Sequence, residues 1–93
     1  MSLEFEWDEK KAQANVKKHG VSFQEAITVF GDDLSMTIHD PEHSEDEDRY
    51  VILGESDQQR LLVVSFTDRE HRIRIISARV ANRRERKRYE EGN

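Results

Sequence analysis

Eight of the chain's 15 Lys and Arg residues fall in one stretch, RIRIISARVANRRERKRYEE, at residues 72–91. The guanidinium fork meets two phosphate oxygens at once and stays charged at any working pH, so such a cluster raises the question of a polyanionic ligand. The spacing separates two kinds of arginine. Arg72, Arg74 and Arg79 belong to a segment that alternates apolar and charged residues, as strands do, close to the start of a helix. Pairing with Glu4 or Glu6 on a neighbouring strand is the alternative for them, and phosphate binding is the reading taken. Arg83, Arg84, Arg86, Lys87 and Arg88 instead girdle a terminal helix. That girdle suits a ligand or a solvated, salt-bridged surface neutralised by the acidic residues 40–48 equally well.

Charge is segregated along the chain. Residues 1–59 hold 5 Lys or Arg against 15 Asp or Glu, a balance of −10, whereas residues 60–93 hold 10 against 5, a balance of +5. The formal net charge of −5 therefore hides a dipolar molecule. Local potential at a basic patch decides what docks there, so an acidic total does not exclude nucleic acid.

Other residue types bear on chemistry less directly. His19 sits where a helix ends and reads first as a capping residue, with general acid–base work as the alternative. Trp7 suits packing better than base stacking. His39 and His43, beside Asp40 and Glu42, match no common metal-ligand spacing and read as part of a solvated acidic loop. No Gly-rich phosphate loop, HExxH or GxSxG is present, so nothing in the sequence asks for a metal or another cofactor.

The elements that must position these residues follow from periodicity. In LEFEW, residues 3–7, apolar and acidic residues alternate as in a half-buried strand. Asp8 suits an N-cap for EKKAQANVKKH, in which Ala12, Val16 and His19 form a weak stripe before Gly20. Ser22 and Glu25 make an S-x-x-E capping box, and Phe23, Ala26, Ile27 and Phe30 form the core face of a second helix ending at Gly31. The period then becomes two: strands are expected at 34–39, with Leu34, Met36 and Ile38 on one face, at 50–54, at 60–66 and at 71–77. ESDQQ and TDRE are short polar turns, so the later strands are expected to run antiparallel. A final helix covers about 81–91, docked through Ala81, Glu85 and Tyr89.

The expected fold is a single α+β domain over residues 1–93: an antiparallel meander sheet with two N-terminal helices on one face and a C-terminal helix. Parity sends Ile73 and Ile75 to one side of the last strand and Arg72 and Arg74 to the other, leaving the uncovered face cationic. With no cysteine and no apolar run able to enter a membrane, a cytoplasmic protein with no membrane partner is the expectation.

Two motifs at opposite ends carry a resemblance. W-D-x-x-K-x-x-x-N-x-x-K-H-G-V-x-F-x-E-A, starting at Trp7, with I-S-A-R and E-R-x-x-Y-E near the C-terminus, resembles the BrnT family of toxins from bacterial type II toxin–antitoxin pairs. The resemblance implies a RelE-like fold, ribonuclease activity that inhibits translation, and neutralisation by a BrnA-like ribbon-helix-helix antitoxin. It also implies that DNA is contacted only indirectly, through the antitoxin. The motif falls on Trp7, Asp8, Lys18, His19, Arg79, Glu85, Arg86 and Tyr89.

Cutting RNA without a metal uses the neighbouring 2′-OH as nucleophile. The protein must help remove its proton, protonate the leaving 5′-oxygen and neutralise charge at phosphorus. Arg74 and Arg79 are assigned to the phosphate, with Arg72, Arg83, Arg86 and Lys18 holding the RNA. For proton transfer His19, Glu85, Tyr89 and Lys18 remain open. A non-catalytic module that binds RNA or antitoxin in operon autoregulation is the alternative.

Overall fold

A computed structural model describes residues 3–43 and 47–92. The chain begins with strand β1 (Glu4–Glu6) and turns at Asp8 into helix α1 (Glu9–His19). The Asp8 carboxylate accepts from the N–H groups of Lys10 (2.8 Å) and Lys11 (3.2 Å), satisfying donors that the first helical turn leaves unpaired. Gly20 closes the helix at φ 70°, a left-handed conformation open to glycine, and its N–H returns to Val16 O.

The apolar stripe of α1 differs from the expected one. Val16 is 48% exposed, and the buried positions are Ala12 and Asn15. Polarity hides the pattern here, because Asn15 is buried for its amide. Its Nδ2 donates to Val21 O and Ala78 O, both at 2.8 Å, and its Oδ1 accepts from Ala78 N at 3.1 Å.

Helix α2 (Phe23–Thr28) continues into a 3-10 turn at Val29–Gly31. Ser22 Oγ accepts from Glu25 N, as the capping motif requires. The Glu25 carboxylate does not fold back to complete the box. It accepts from Arg60 and from Ser56 Oγ (2.7 Å), joining α2 to the turn before β4.

Four further strands follow: β2 (Met36–Asp40), β3 (Arg49–Glu55), β4 (Leu61–Arg69) and β5 (Arg72–Val80). Helix α3 (Arg83–Glu91) ends the described chain. The sheet order is β1-β5-β4-β3-β2. Strands β2 to β5 form an antiparallel meander. Strand β1 lies parallel to β5, with Glu4 opposite Arg72 and Glu6 opposite Arg74, so the sheet is mixed and not wholly antiparallel. The helical segment α1–α2 carries the chain from β1 at one edge of the sheet to β2 at the other. TDRE is a turn only at its last residue: β4 extends through Arg69, which opposes Arg72, and Glu70 and His71 make the turn.

Two apolar clusters sandwich the sheet. Val21, Phe23, Ala26 and Val29 pack with Ile52, Leu62, Val64, Phe66, Ile73, Ile75 and Ala78. Trp7 lies edge-on to Phe23 at 5.9 Å within this layer. The opposite face carries Leu53, Leu61, Val63 and Ala81, joined by Val51 and Tyr89. Strands β3 and β4 are thus apolar on both faces over part of their length, which is why their sequences read as nearly continuous. Leu34 is 70% exposed and lies before β2, while Met36 and Ile38 line a groove of about 190 Å³ between the sheet and α3.

Candidate RNA-binding face

Strand β5 contains the irregularity that organises the site. Ser65 opposes Ser77 and Phe66 opposes Ile75, so Ile76 is a bulge residue. Arg74 opposes Thr67 and Arg79 opposes Val63. Since Thr67 and Val63 are an even number of residues apart on the regular strand β4, Arg74 and Arg79 emerge on the same face. In an unbroken strand they would point to opposite sides. Arg72 shares that face, and the bulge therefore gathers all three strand arginines opposite α1 and α2.

At the C-terminal end of β5, Arg79 donates through Nη1 and Nη2 to the two carboxylate oxygens of Glu85, both at 2.8 Å. Glu85 Oε1 also accepts from Asn82 N, and Asn82 Oδ1 from Glu85 N, so the pair is built into the N-terminal capping box of α3. Hydrogen bonding from Arg79 holds the Glu85 carboxyl below its usual range against the opposing effect of burial, and Glu85 in turn raises Arg79. Glu85 is accordingly an anion at neutral pH.

Helix α3 begins at Arg83, not 81, and docks through Tyr89 and the preceding Ala81, while Glu85, the third expected contact, is paired with Arg79. Tyr89 Oη donates to Asp32 Oδ2 at 2.6 Å, and this bond, with burial, pushes the phenol up to about 12. Burial pulls the Asp32 carboxyl upward, but N–H of Glu55, the Tyr89 hydroxyl and N–H of Leu34 outweigh it and hold the group low. The Tyr89 hydroxyl is thus engaged in fastening α3. Arg83, Arg84, Arg86, Lys87 and Arg88 are all exposed around the helix.

Lys18 is exposed and His19 half-buried in the last turn of α1. The next residue's carbonyl, Gly20 O, accepts from Arg60 at 3.1 Å, and Leu61 O accepts from Ala81 N. His19 and Lys18 therefore lie towards the end of the sheet where β5 gives way to α3.

Arg72 and Arg74 stand at the other end. Arg72 is within 3.5 Å of Glu4 and 3.4 Å of Glu6, and Arg74 within 3.5 Å of Glu6. Arg74 and Arg79 are separated by roughly 15 Å of strand, and their guanidinium groups are drawn to different carboxylates. They share a face but do not converge on one point in the free protein. Arg69, absent from the sequence-derived set because its segment reads as a turn, reaches Glu6 at 3.5 Å and forks onto Glu47 at 2.9 and 2.8 Å.

Among the described residues no group of three or more His, Asp or Glu is arranged to hold a metal ion. His39 Nε2 lies 3.1 Å from Asp48 Oδ1, and the His43 side chain is outside the described residues. No described helix is long and apolar enough to cross a membrane.

These features define a small α+β protein with a two-faced mixed sheet, one face lined with arginines at both ends of its longest basic strand. The family described as the ribonuclease toxin BrnT of type II toxin–antitoxin systems matches residues 7–85, and the chain belongs to that family. A type II system supplies such a toxin with an antitoxin partner. The fold is shared with the ribonuclease toxin BrnT of Brucella abortus, known from a 1.1 Å crystal structure, at a TM-score of 0.67 and 24% identity. The match covers 88% of this chain and 100% of the Brucella chain. No curated protein sequence matches this one.

Proposed function

We propose that this chain is a metal-independent endoribonuclease of RelE-like architecture that cuts RNA, thereby inhibits translation, and is neutralised by a ribbon-helix-helix antitoxin. Family membership supports the ribonuclease class. The observation that carries the site assignment is the bulge at Ile76, which gives Arg72, Arg74 and Arg79 a common face.

In this reading the RNA backbone lies along β5. Arg79 leaves Glu85 for the scissile phosphate, where charge accumulates as the 2′-oxygen attacks phosphorus. Loss of the Arg79 hydrogen bonds removes the main influence holding the Glu85 carboxyl low, so Glu85 becomes a better base as the phosphate arrives. Glu85 takes the 2′-OH proton and the bond from phosphorus to the 5′-oxygen breaks as a solvent proton reaches that oxygen, since His19 closes α1 on the other side of the sheet. The products are a 2′,3′-cyclic phosphate and a free 5′-OH. Arg72 and Arg74 hold a more distant part of the strand, Lys18, Arg83 and Arg86 steer it, and Tyr89 positions α3.

Purified protein freed of antitoxin and assayed in EDTA is expected to release fragments ending in 2′,3′-cyclic phosphate. The double variant Arg74→Ala/Arg79→Ala should lose activity by about 100-fold or more. Full cleavage by that variant overturns the residue assignment. The second reading, a non-catalytic RNA-binding module, is favoured by the ion pairing of every strand arginine described above. It predicts salt-sensitive binding with RNA intact after long incubation.

A further inference from the structure

A row of side chains crosses the whole sheet on the arginine-bearing face. Asp40 on β2 opposes Arg49 on β3, Arg49 opposes Thr67 on β4, Thr67 opposes Arg74 on β5, and Arg74 opposes Glu6 on β1. Directly opposed residues point to the same side, so two arginines flank the threonine at Cα separations of about 5 Å each. Thr67 is 1% exposed, and its Oγ1 has no hydrogen-bond partner among the described residues. Buried hydroxyls are ordinarily satisfied, and one left open beneath basic side chains suits an incoming acceptor.

The carboxylates around this row are held in unequal ways. Glu6 has Arg69, Arg72 and Arg74 around it, all at 3.4–3.5 Å, well beyond the spacing of about 2.8 Å for a good charged hydrogen bond. Glu47 is gripped by Arg69, and its carboxyl is drawn down first by that hydrogen bond and further by the charges of Arg74 and Arg49. Arg69, Arg72 and Arg74 thus surround Glu6, Arg69 also grips Glu47, and Arg49 stands across the unsatisfied Thr67 from Arg74.

We propose that Arg49, Thr67, Arg69 and Arg74 form a phosphate-binding subsite for the RNA backbone, occupied in the free protein by the chain's own Glu6 and Glu47. This rests on the reading of the chain as an RNA-binding ribonuclease, and it adds a subsite remote from the Arg79–Glu85 pair. The phosphodiester displaces Glu6 and Glu47 from the guanidinium groups, and one of its oxygens accepts from the Thr67 hydroxyl. The internal carboxylates set a threshold that weakly presented anions do not cross.

The test uses the full chain and a single-stranded 2′-O-methyl oligonucleotide, which lacks the nucleophile for cleavage, with binding followed by fluorescence anisotropy at 50 and 200 mM salt. Glu6→Gln/Glu47→Gln is expected to bind about tenfold more tightly than the parent at 50 mM salt and to show a steeper salt dependence. Adding Arg74→Ala or Arg49→Ala should abolish the gain, and Thr67→Val, nearly isosteric, should reduce it several-fold. Affinity of the carboxamide variant within twofold of the parent overturns the proposal, as does a gain that survives loss of both arginines. Tighter binding to an acidic peptide with no change towards the oligonucleotide also overturns it and assigns the row to a protein partner. Unfolding cannot imitate the expected result, since a destabilised variant binds less. Failure of the parent to cleave ordinary RNA would count against the catalytic reading and leave this binding comparison intact.

Discussion

At the residue scale, several positions of the N-terminal motif build the scaffold. Asp8 caps α1, Gly20 ends it, and Val21, Phe23 and Ala26 are core. Asn15 is the clearest instance. Strand β1 covers β5 only from Arg72 to Arg74, and beyond it the Asn15 amide both donates to and accepts from the backbone of Ala78, as a neighbouring strand would. Asn15→Leu keeps the volume and leaves three backbone groups unpaired. We expect a loss of about 2–4 kcal/mol in urea unfolding, and a loss below ~0.5 kcal/mol would contradict this account. The site residues are legible to a different degree. Arginine type and strand alternation bring out Arg72, Arg74 and Arg79, but the sharing of a face by all three depends on a bulge that no local pattern announces. Thr67 gives no sequence signal, because its interest lies in what its hydroxyl lacks.

At the scale of elements, α3 has almost no apolar surface of its own and is held by a few points. The Tyr89–Asp32 bond ties it to the segment after α2, and the Asn82–Glu85 box orders its first turn. Tyr89→Phe should weaken docking by about 1.5–3 kcal/mol, as expected for a hydrogen bond to a charged acceptor. Hydrogen exchange of residues 83–91 would accelerate if so, and unchanged protection would show that Ala81 and the cap suffice. The phenol's pKa is raised from an ordinary value of 10 to about 12, so its stabilising effect is complete below pH 10 and lost as pH rises through about 12. The Phe variant should lack that alkaline step. Strand β3 has its own contact point at Gly54, where a Cβ would meet Val29 Cγ1 at 2.8 Å and Ser35 Cβ at 3.0 Å. Gly54→Ala is expected to destabilise by about 1–3 kcal/mol through overpacking, readable as a lower thermal midpoint with the same end-state spectrum. The caps at Asp8, Gly20 and Ser22 and the core face of α2 were readable because they act within a few residues. The parallel pairing of β1 with β5 joins residues 68 positions apart and leaves no local trace.

For the whole molecule, segregated charge along the chain becomes paired charge in space. The acidic first half supplies Glu4, Glu6 and Glu47 to arginines of the second half, and Glu25 to Arg60. Glu25 is the most enclosed of these, its side chain 2% exposed, and the hydrogen bond from Arg60 holds its carboxyl below 4.5 despite desolvation. A carboxyl lowered in the folded state stabilises fully above its unfolded value and loses that contribution as pH falls through the folded one. Thermal midpoints should therefore decline below about pH 4.5, and Glu25→Gln should flatten that decline while lowering the neutral-pH midpoint. An acid profile unaltered by the substitution would remove Glu25 from the explanation.

The parallel edge also has a temporal side. During synthesis, residues 4–6 are made long before residues 72–74 and have no strand to join until those have left the ribosome. The arginine-bearing face, built on β5, is consequently assembled only after every other described strand has been made.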